Sequence, residues 1–466
     1  MEKPSAILID KFPFSPTEGQ KRLFLLFDNF LENDSAVHQT LLLKGFAGTG
    51  KTSVVGAIVK TLPFFNKRYC LLAPTGRAAK VMSQYTNKVA FTIHKIIYKQ
   101  VADNNSGFGF KRGKNYYKNT VFIVDEASML SDRAEGNRGS LLDDLVSFVF
   151  EDNSNKLILI GDTAQLPPIG QIDSPALDGN YIKRHFNLSV NECLLTEVMR
   201  QEEQSGILYN ATLLRELLLK ESAAIKFKVD GYKDVFRMTG EKLEDGLRYA
   251  YGKHGVDNTI IICRSNKSAV QYNQYIRRAI HFFEEEIDAG DIIMVVKNNY
   301  HYLPENAPAG FLANGDFAEV MKIVNLEEIY GFRFATVYLR LVDYPDQEVF
   351  EAKIMLDTLH TATPSMTDVE YRKLYELVSE DYSDLENVKE KAEMIKKDPY
   401  LNALQVKFAY ALTCHKSQGG QWNAVFIDQG YLKEEMIGQE YIKWLYTAIT
   451  RSTDVVFLVN FSGNFF

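Results

Sequence analysis

The sequence predicts an α/β protein with two parallel sheets and a small β-rich module inserted into the second. Three observations carry this. Between residues 40 and 162, short β-rich runs alternate with helical stretches, as in a parallel sheet covered by helices. The alternation returns at 258–265 and again from about 408 to 460. Between these two returns lies a long segment, 287–402, with a different texture.

In the first unit the runs are QTLLLKG and a helix from Lys51, then RYCLLAP and a helix from Gly76, then TVFIVDE and KLILIGD. In the second they are NTIIICRS and a helix, FAYALTCHKS, NAVFIDQG, a helix near 438–449, and DVVFLVN. The intervening segment begins with short β runs broken by Gly, Asn, Asp and Pro, which suggests a small barrel. It continues with a charged helical pattern at 367–398. The expected boundaries are 1–205 for the first unit, 206–286 and 403–466 for the two parts of the second, and 287–402 for the insertion.

Composition sets limits on function. With 46% hydrophobic and 24% charged residues among 466, the chain reads as globular rather than disordered. No apolar run approaches a membrane span, and the start MEKPSAILID has no signal-peptide core, so a cytoplasmic location is expected. Cys70, Cys193, Cys263 and Cys414 lie far apart without CxxC spacing and read as reduced core thiols. The net charge of −7 argues weakly against a nucleic-acid partner. Residues 95–118 locally reverse it, with Lys95, Lys99, Lys111, Arg112, Lys114 and Lys118 against Asp103 alone.

GFAGTGKT, Gly45 to Thr52, matches the phosphate-binding loop G-x-x-x-x-G-K-[ST]. Its glycines let the backbone curl, so that amides along Gly45, Ala47, Gly48, Thr49 and Gly50 face phosphate oxygens. Lys51 would neutralise the β- and γ-phosphates, and Thr52 would hold Mg²⁺. In FIVDEASML the apolar strand ends in two acids at the edge where a carboxylate meets such a loop. Asp125 would take Mg²⁺ through water and Glu126 would activate the attacking water. Gln165, in the loop after KLILIGD, is placed to sense the γ-phosphate.

Taken in order, these strings resemble superfamily 1 helicases, in particular the RecD-like branch that includes the phage helicase Dda. TEGQ (17–20) resembles the adenine-recognising glutamine motif, and APTGRAA (73–79) with TIH (92–94) the strand-contacting motifs Ia and Ib. DEASM and GDTAQLPP resemble motifs II and III, LTEVMRQ (195–201) motif IV, and LTCHKSQGGQW (412–422) with LYTAITRS (445–452) motifs V and VI. The resemblance implies two RecA-like motor domains, the second carrying an SH3-like barrel with helices. It also implies ATP and Mg²⁺ as cofactors, single-stranded DNA and fork junctions as partners, 5′→3′ movement, and a monomeric motor.

By position, Gln20 would read adenine, Gly419 would lie near the γ-phosphate, and Arg200 and Arg451 would be arginine fingers. Pro74, Thr75, His94, Thr413 and His415 would line the strand track. Met199 stands where many relatives carry an aromatic, and Gln421 where many carry Glu. Between His94 and TVFIVDE, an NNSG turn flanked by basic and aromatic residues predicts a hairpin over about 97–119. The family places a duplex-splitting wedge there, with Phe108 or Phe110 stacking on a base at the fork. Three rivals remain at this stage: an RNA-directed helicase, a translocase without strong unwinding, and a non-enzymatic P-loop protein.

Overall fold

Apolar β-branched and leucine-rich runs flanked by loops on one edge form the first sheet. A computed structural model describes residues 2–32, 38–103, 107–134, 139–198, 205–220, 224–304 and 307–466, excepting the side chains of 100–103 and 107–110. The strand order is Phe91–Thr92, Arg68–Ala73, Thr120–Val124, Lys156–Gly161, Gln39–Gly45 and Ser189–Leu195, with every pairing parallel. Alternation sends Leu41, Leu43, Leu71, Ile123, Ile158 and Ile160 into one core. Leu42, Leu72, Phe122, Val124, Leu157 and Leu159 enter the other, so both faces are covered. Two N-terminal helices, Pro4–Lys11 and Glu18–Glu32, supply Leu8, Phe24, Phe27 and Phe30 to the first of these cores, and Phe12 joins them from just past the first helix.

The second sheet is also parallel, ordered Ala411–Thr413, Thr259–Cys263, Trp422–Asp428, Ser452–Val459 and Val235–Met238. Ile292–Val295, Phe317–Ile329, Phe332–Leu341, Phe350–Met355 and Leu404–Phe408 close a barrel. Its last strand lies beyond residue 402, where the sequence suggests a return to the second sheet. The run FAYALT is divided: Phe408 ends the barrel, and Ala411 starts the sheet strand. Between them Asn273 caps the turn, accepting from the N–H groups of Tyr410 and Ala411.

Tyr98–Asp103 and Gly107–Arg112 pair antiparallel as a hairpin at the expected place. Helices Asp368–Asp381 and Val388–Lys397 extend the barrel, and the second approaches hairpin strand Gly107–Arg112. All four cysteines are buried and unbridged. Among the described residues, no helix is long and apolar enough to cross a membrane.

Candidate ATP site and strand-contacting face

Strand Gln39–Gly45 delivers the phosphate loop between two parallel neighbours and ahead of helix Lys51–Thr61. Gly48 and Gly50 sit at φ 76° and 80°, in the left-handed region open to glycine at little cost. A side chain at Gly48 would also strike Val198. Lys51 Nζ folds onto the loop, donating to Gly45 O at 2.7 Å and Phe46 O at 2.9 Å, while Thr52 is exposed. Gln20 is fully buried against the loop: its Oε1 accepts from Thr17 N, and its Nε2 donates to Thr49 O at 3.1 Å.

Asp125 and Glu126 follow strand Thr120–Val124. Asp125 Oδ2 accepts the Tyr85 hydroxyl at 2.6 Å, and its Oδ1 accepts Glu126 N at 2.8 Å. Desolvation and then the neighbouring Glu126 push the Asp125 carboxyl upward, against hydrogen bonds and Lys51 that pull it down. Glu126 holds φ 51°, ψ 37°, an unusual conformation for a non-glycine residue and a common mark of a functional turn.

The second sheet closes over this edge. Arg451, 4% exposed, brings Nη1 to 3.6 Å from Glu126 Oε1 while its Nε donates to Thr447 O. The Tyr446 hydroxyl accepts from the phosphate-loop amide of Ala47 at 2.8 Å and donates to Asp162 Oδ2 at 2.6 Å. Asp162 is buried, and desolvation raises its pKa. Leu166 N donates to Thr447 Oγ1, and Gln418 Nε2 donates to Leu166 O. The loop after strand Lys156–Gly161 is thus held by the second domain, and Ala164 and Leu166 join that domain's core. Gln165 Oε1 lies buried beside them without a protein partner.

On the face expected from the sequence to contact the strand, Thr75 caps helix Gly76–Thr86, its Oγ1 accepting from Ala78 N, with Pro74 just before it. His94 lies in the short helix Ile93–Ile97 with its ring 5.4 Å from Tyr98. Across the cleft, Thr413 and His415 start another short helix, and burial lowers the His415 pKa. Gly419 sits at φ 74°, and a side chain there would collide with Ala78 and Thr75, so the glycine packs against the start of helix Gly76–Thr86. Met199 and Arg200 lie outside the described residues, as do the side chains of Phe108 and Phe110.

Several residues here escape sequence reasoning. Tyr85, Asp162, Tyr446 and Gln418 join the ATP motifs through contacts that motif spacing does not reveal, although all but Tyr85 lie inside quoted motif strings. Lys407 and Lys416 share a pocket with Asn266 and Thr413. Burial pushes both lysines down to about 8, and the charge of Lys416 adds to the effect on Lys407. Arg77 lies over both Phe317 and Trp422, at 4.6 and 4.3 Å from their ring centres.

The profile of the AAA domain family matches residues 32–171, and that of the UvrD-like helicase C-terminal domain matches residues 408–459. An uncharacterised protein of Acanthamoeba polyphaga mimivirus is 24% identical over 90% of this chain and 94% of its own length. The ATP-dependent RecD2 DNA helicase of Deinococcus radiodurans is 23% identical, covering 91% of this chain and 47% of its own. The ATP-dependent DNA helicase dda of Enterobacteria phage T4 is 28% identical over 60% of each. This chain therefore spans only part of both named helicases. Among solved structures, a Bacteroides Pif1 helicase in complex with ADP-AlF3 and ssDNA aligns over 97% of this chain and 94% of its own. Its TM-score is 0.47 and its identity 16%.

The fold and site define a P-loop protein of two parallel sheets, with the nucleotide loop on one sheet and an arginine supplied by the other. Within that class, the chain is similar to superfamily 1 helicases such as RecD2 and Dda.

Proposed function

We propose that this chain is an ATP-dependent DNA helicase that moves 5′→3′ along single-stranded DNA and separates the duplex ahead of it. The observation that carries this is the pairing of Arg451, from the second sheet, with Glu126, from the first. A guanidinium aimed at the hydrolytic acid can stabilise transition-state charge only while the cleft is shut. Hydrolysis is thereby tied to domain closure, and domain closure to the grip of Thr75 and Thr413 on the strand.

Gln20 and the loop Gly45–Thr52 hold ATP in this reading. Thr52 and Asp125 offer oxygen ligands only, the donor set that suits Mg²⁺, which takes few protein carboxylates and completes its shell with phosphate and water. When bound, the cation would neutralise charge between the β- and γ-phosphates. Lys51 holds the phosphates, Glu126 orients and deprotonates water, and Gln165 turns its buried amide toward the γ-phosphate. Arg200 is a second arginine finger. The motor works as a monomer, with domains 1–205, 206–286 and 403–466, and the insertion between them running on into its last barrel strand. The hairpin at 98–112 is the wedge, and Phe108 and Phe110 meet the fork.

Unwinding of two duplexes, one with a 5′ tail and one with a 3′ tail, tests this reading. ATP-dependent separation of the 5′-tailed duplex alone is expected. Activity on the 3′ tail alone would overturn the polarity, and loss of both activities, with ATP turnover indifferent to DNA, would overturn the function.

A further inference from the structure

We propose that Tyr85 is a positioning residue for hydrolysis, relaying strand grip at the start of helix Gly76–Thr86 to the Asp125 carboxylate at its end. The inference rests on the helicase reading of Asp125 and Thr75 and adds the part that joins them. The helix begins just after Pro74 and Thr75 and spans about 15 Å at the usual rise per residue. Its first turns are clamped from outside the first sheet. Arg77 packs over Phe317 of the barrel and Trp422 of the second sheet, and Lys80 donates to Val342 O and, at 3.0 Å, to Asp343 Oδ1.

The last turn of the helix faces the ATP site. The Tyr85 hydroxyl donates to Asp125 Oδ2 at 2.6 Å while Glu126 N holds the other oxygen, so the carboxylate is fixed by two donors. Helix Lys51–Thr61, which follows the phosphate loop, packs beside this turn. The two helices are close at Gly56, where a Cβ would lie in ordinary contact with Tyr85 O, at 3.8 Å. One rigid element therefore touches the strand-contacting cap, the barrel, the second sheet and the metal-binding acid. A small rotation of the helix on strand binding shifts the Tyr85 hydroxyl, and with it the rotamer of Asp125. Glu126, one residue on, moves with the same turn.

Tyr85→Phe deletes the hydroxyl and keeps the ring. Two quantities are read: the ratio of single-strand-stimulated to basal ATP turnover, and the Mg²⁺ concentration that half-saturates binding of a fluorescent non-hydrolysable ATP analogue. The ratio is expected to fall about tenfold, the loss of one hydrogen bond to a charged group, and the Mg²⁺ requirement to rise severalfold. Thr75→Ala should lower the ratio in the wild-type background and hardly at all on top of Tyr85→Phe, because both act through one path. An unchanged ratio and Mg²⁺ requirement in Tyr85→Phe would overturn the proposal. So would equal loss of basal and stimulated turnover with a fully additive Thr75→Ala, which would make the hydroxyl a structural partner only. Absence of stimulation in the wild-type chain would overturn the helicase reading itself, and the relay with it.

Discussion

The two parallel sheets share a topology class and differ in how they present chemistry. In the first, Thr75, the phosphate loop, Asp125 and Asp162 all follow the carboxyl ends of strands, at the edge where open α/β sheets bind ligands. In the second, Arg451 and Tyr446 come from the far end of helix Gln439–Ile449, ahead of strand Ser452–Val459. The first sheet therefore builds a nucleotide cradle, and the second offers an opposing face that completes it. Only the contact between them makes a full site, which is what a motor requires if chemistry is to report domain position.

The comparison breaks most severely if the cradle is removed. Lys51→Ala should abolish turnover while leaving strand binding without ATP intact, because no other cation replaces its charge. Glu126→Gln should retain ATP and stall hydrolysis. Single-strand-stimulated ATPase measured alongside nucleotide binding checks both variants, and near-normal turnover in either would undo the assignment of the cradle.

Tyr446→Phe probes the seam. It leaves the Ala47 amide and the Asp162 carboxylate each short of a partner, a cost of about 1–3 kcal/mol for a buried polar group. A lower thermal midpoint and roughly tenfold slower stimulated turnover are expected. Turnover equal to wild type would reduce the seam to packing.

The smallest effect is expected on the strand-contacting face of the second sheet. Lys416, pushed down to about 8 by burial, must carry its charge to meet a strand phosphate. Binding therefore takes up protons, and single-strand affinity should weaken as pH rises through about 8. Lys416→Ala should remove that pH dependence and flatten the log–log salt slope by about 0.7, one phosphate contact. An unchanged slope would place Lys416 off the track.

Much of this was legible in the sequence, for identifiable reasons. The phosphate loop and the Asp125–Glu126 pair are local patterns whose spacing is set by one strand and one turn, so their identity survives any tertiary detail. The hairpin announced itself through NNSG, and the barrel through its short broken β runs. What escaped was tertiary. The Tyr85 hydroxyl reaches a partner 40 residues away, and that of Tyr446 one 284 residues away, and no periodicity encodes such a meeting. The FAYALT run misled because one apolar stretch serves both barrel and sheet, with the buried Asn273 capping the turn between them.

Arg451→Ala tests the divided site most directly, with stimulated kcat and nucleotide Kd measured on the same preparation. An arginine finger supplied in trans is worth roughly 10³–10⁵ in rate, so a fall in kcat of at least about 10² is expected, with Kd within a few-fold of wild type. A raised Kd with kcat preserved would make Arg451 an ordinary ligand of bound nucleotide. The second sheet would then have no part in the chemistry.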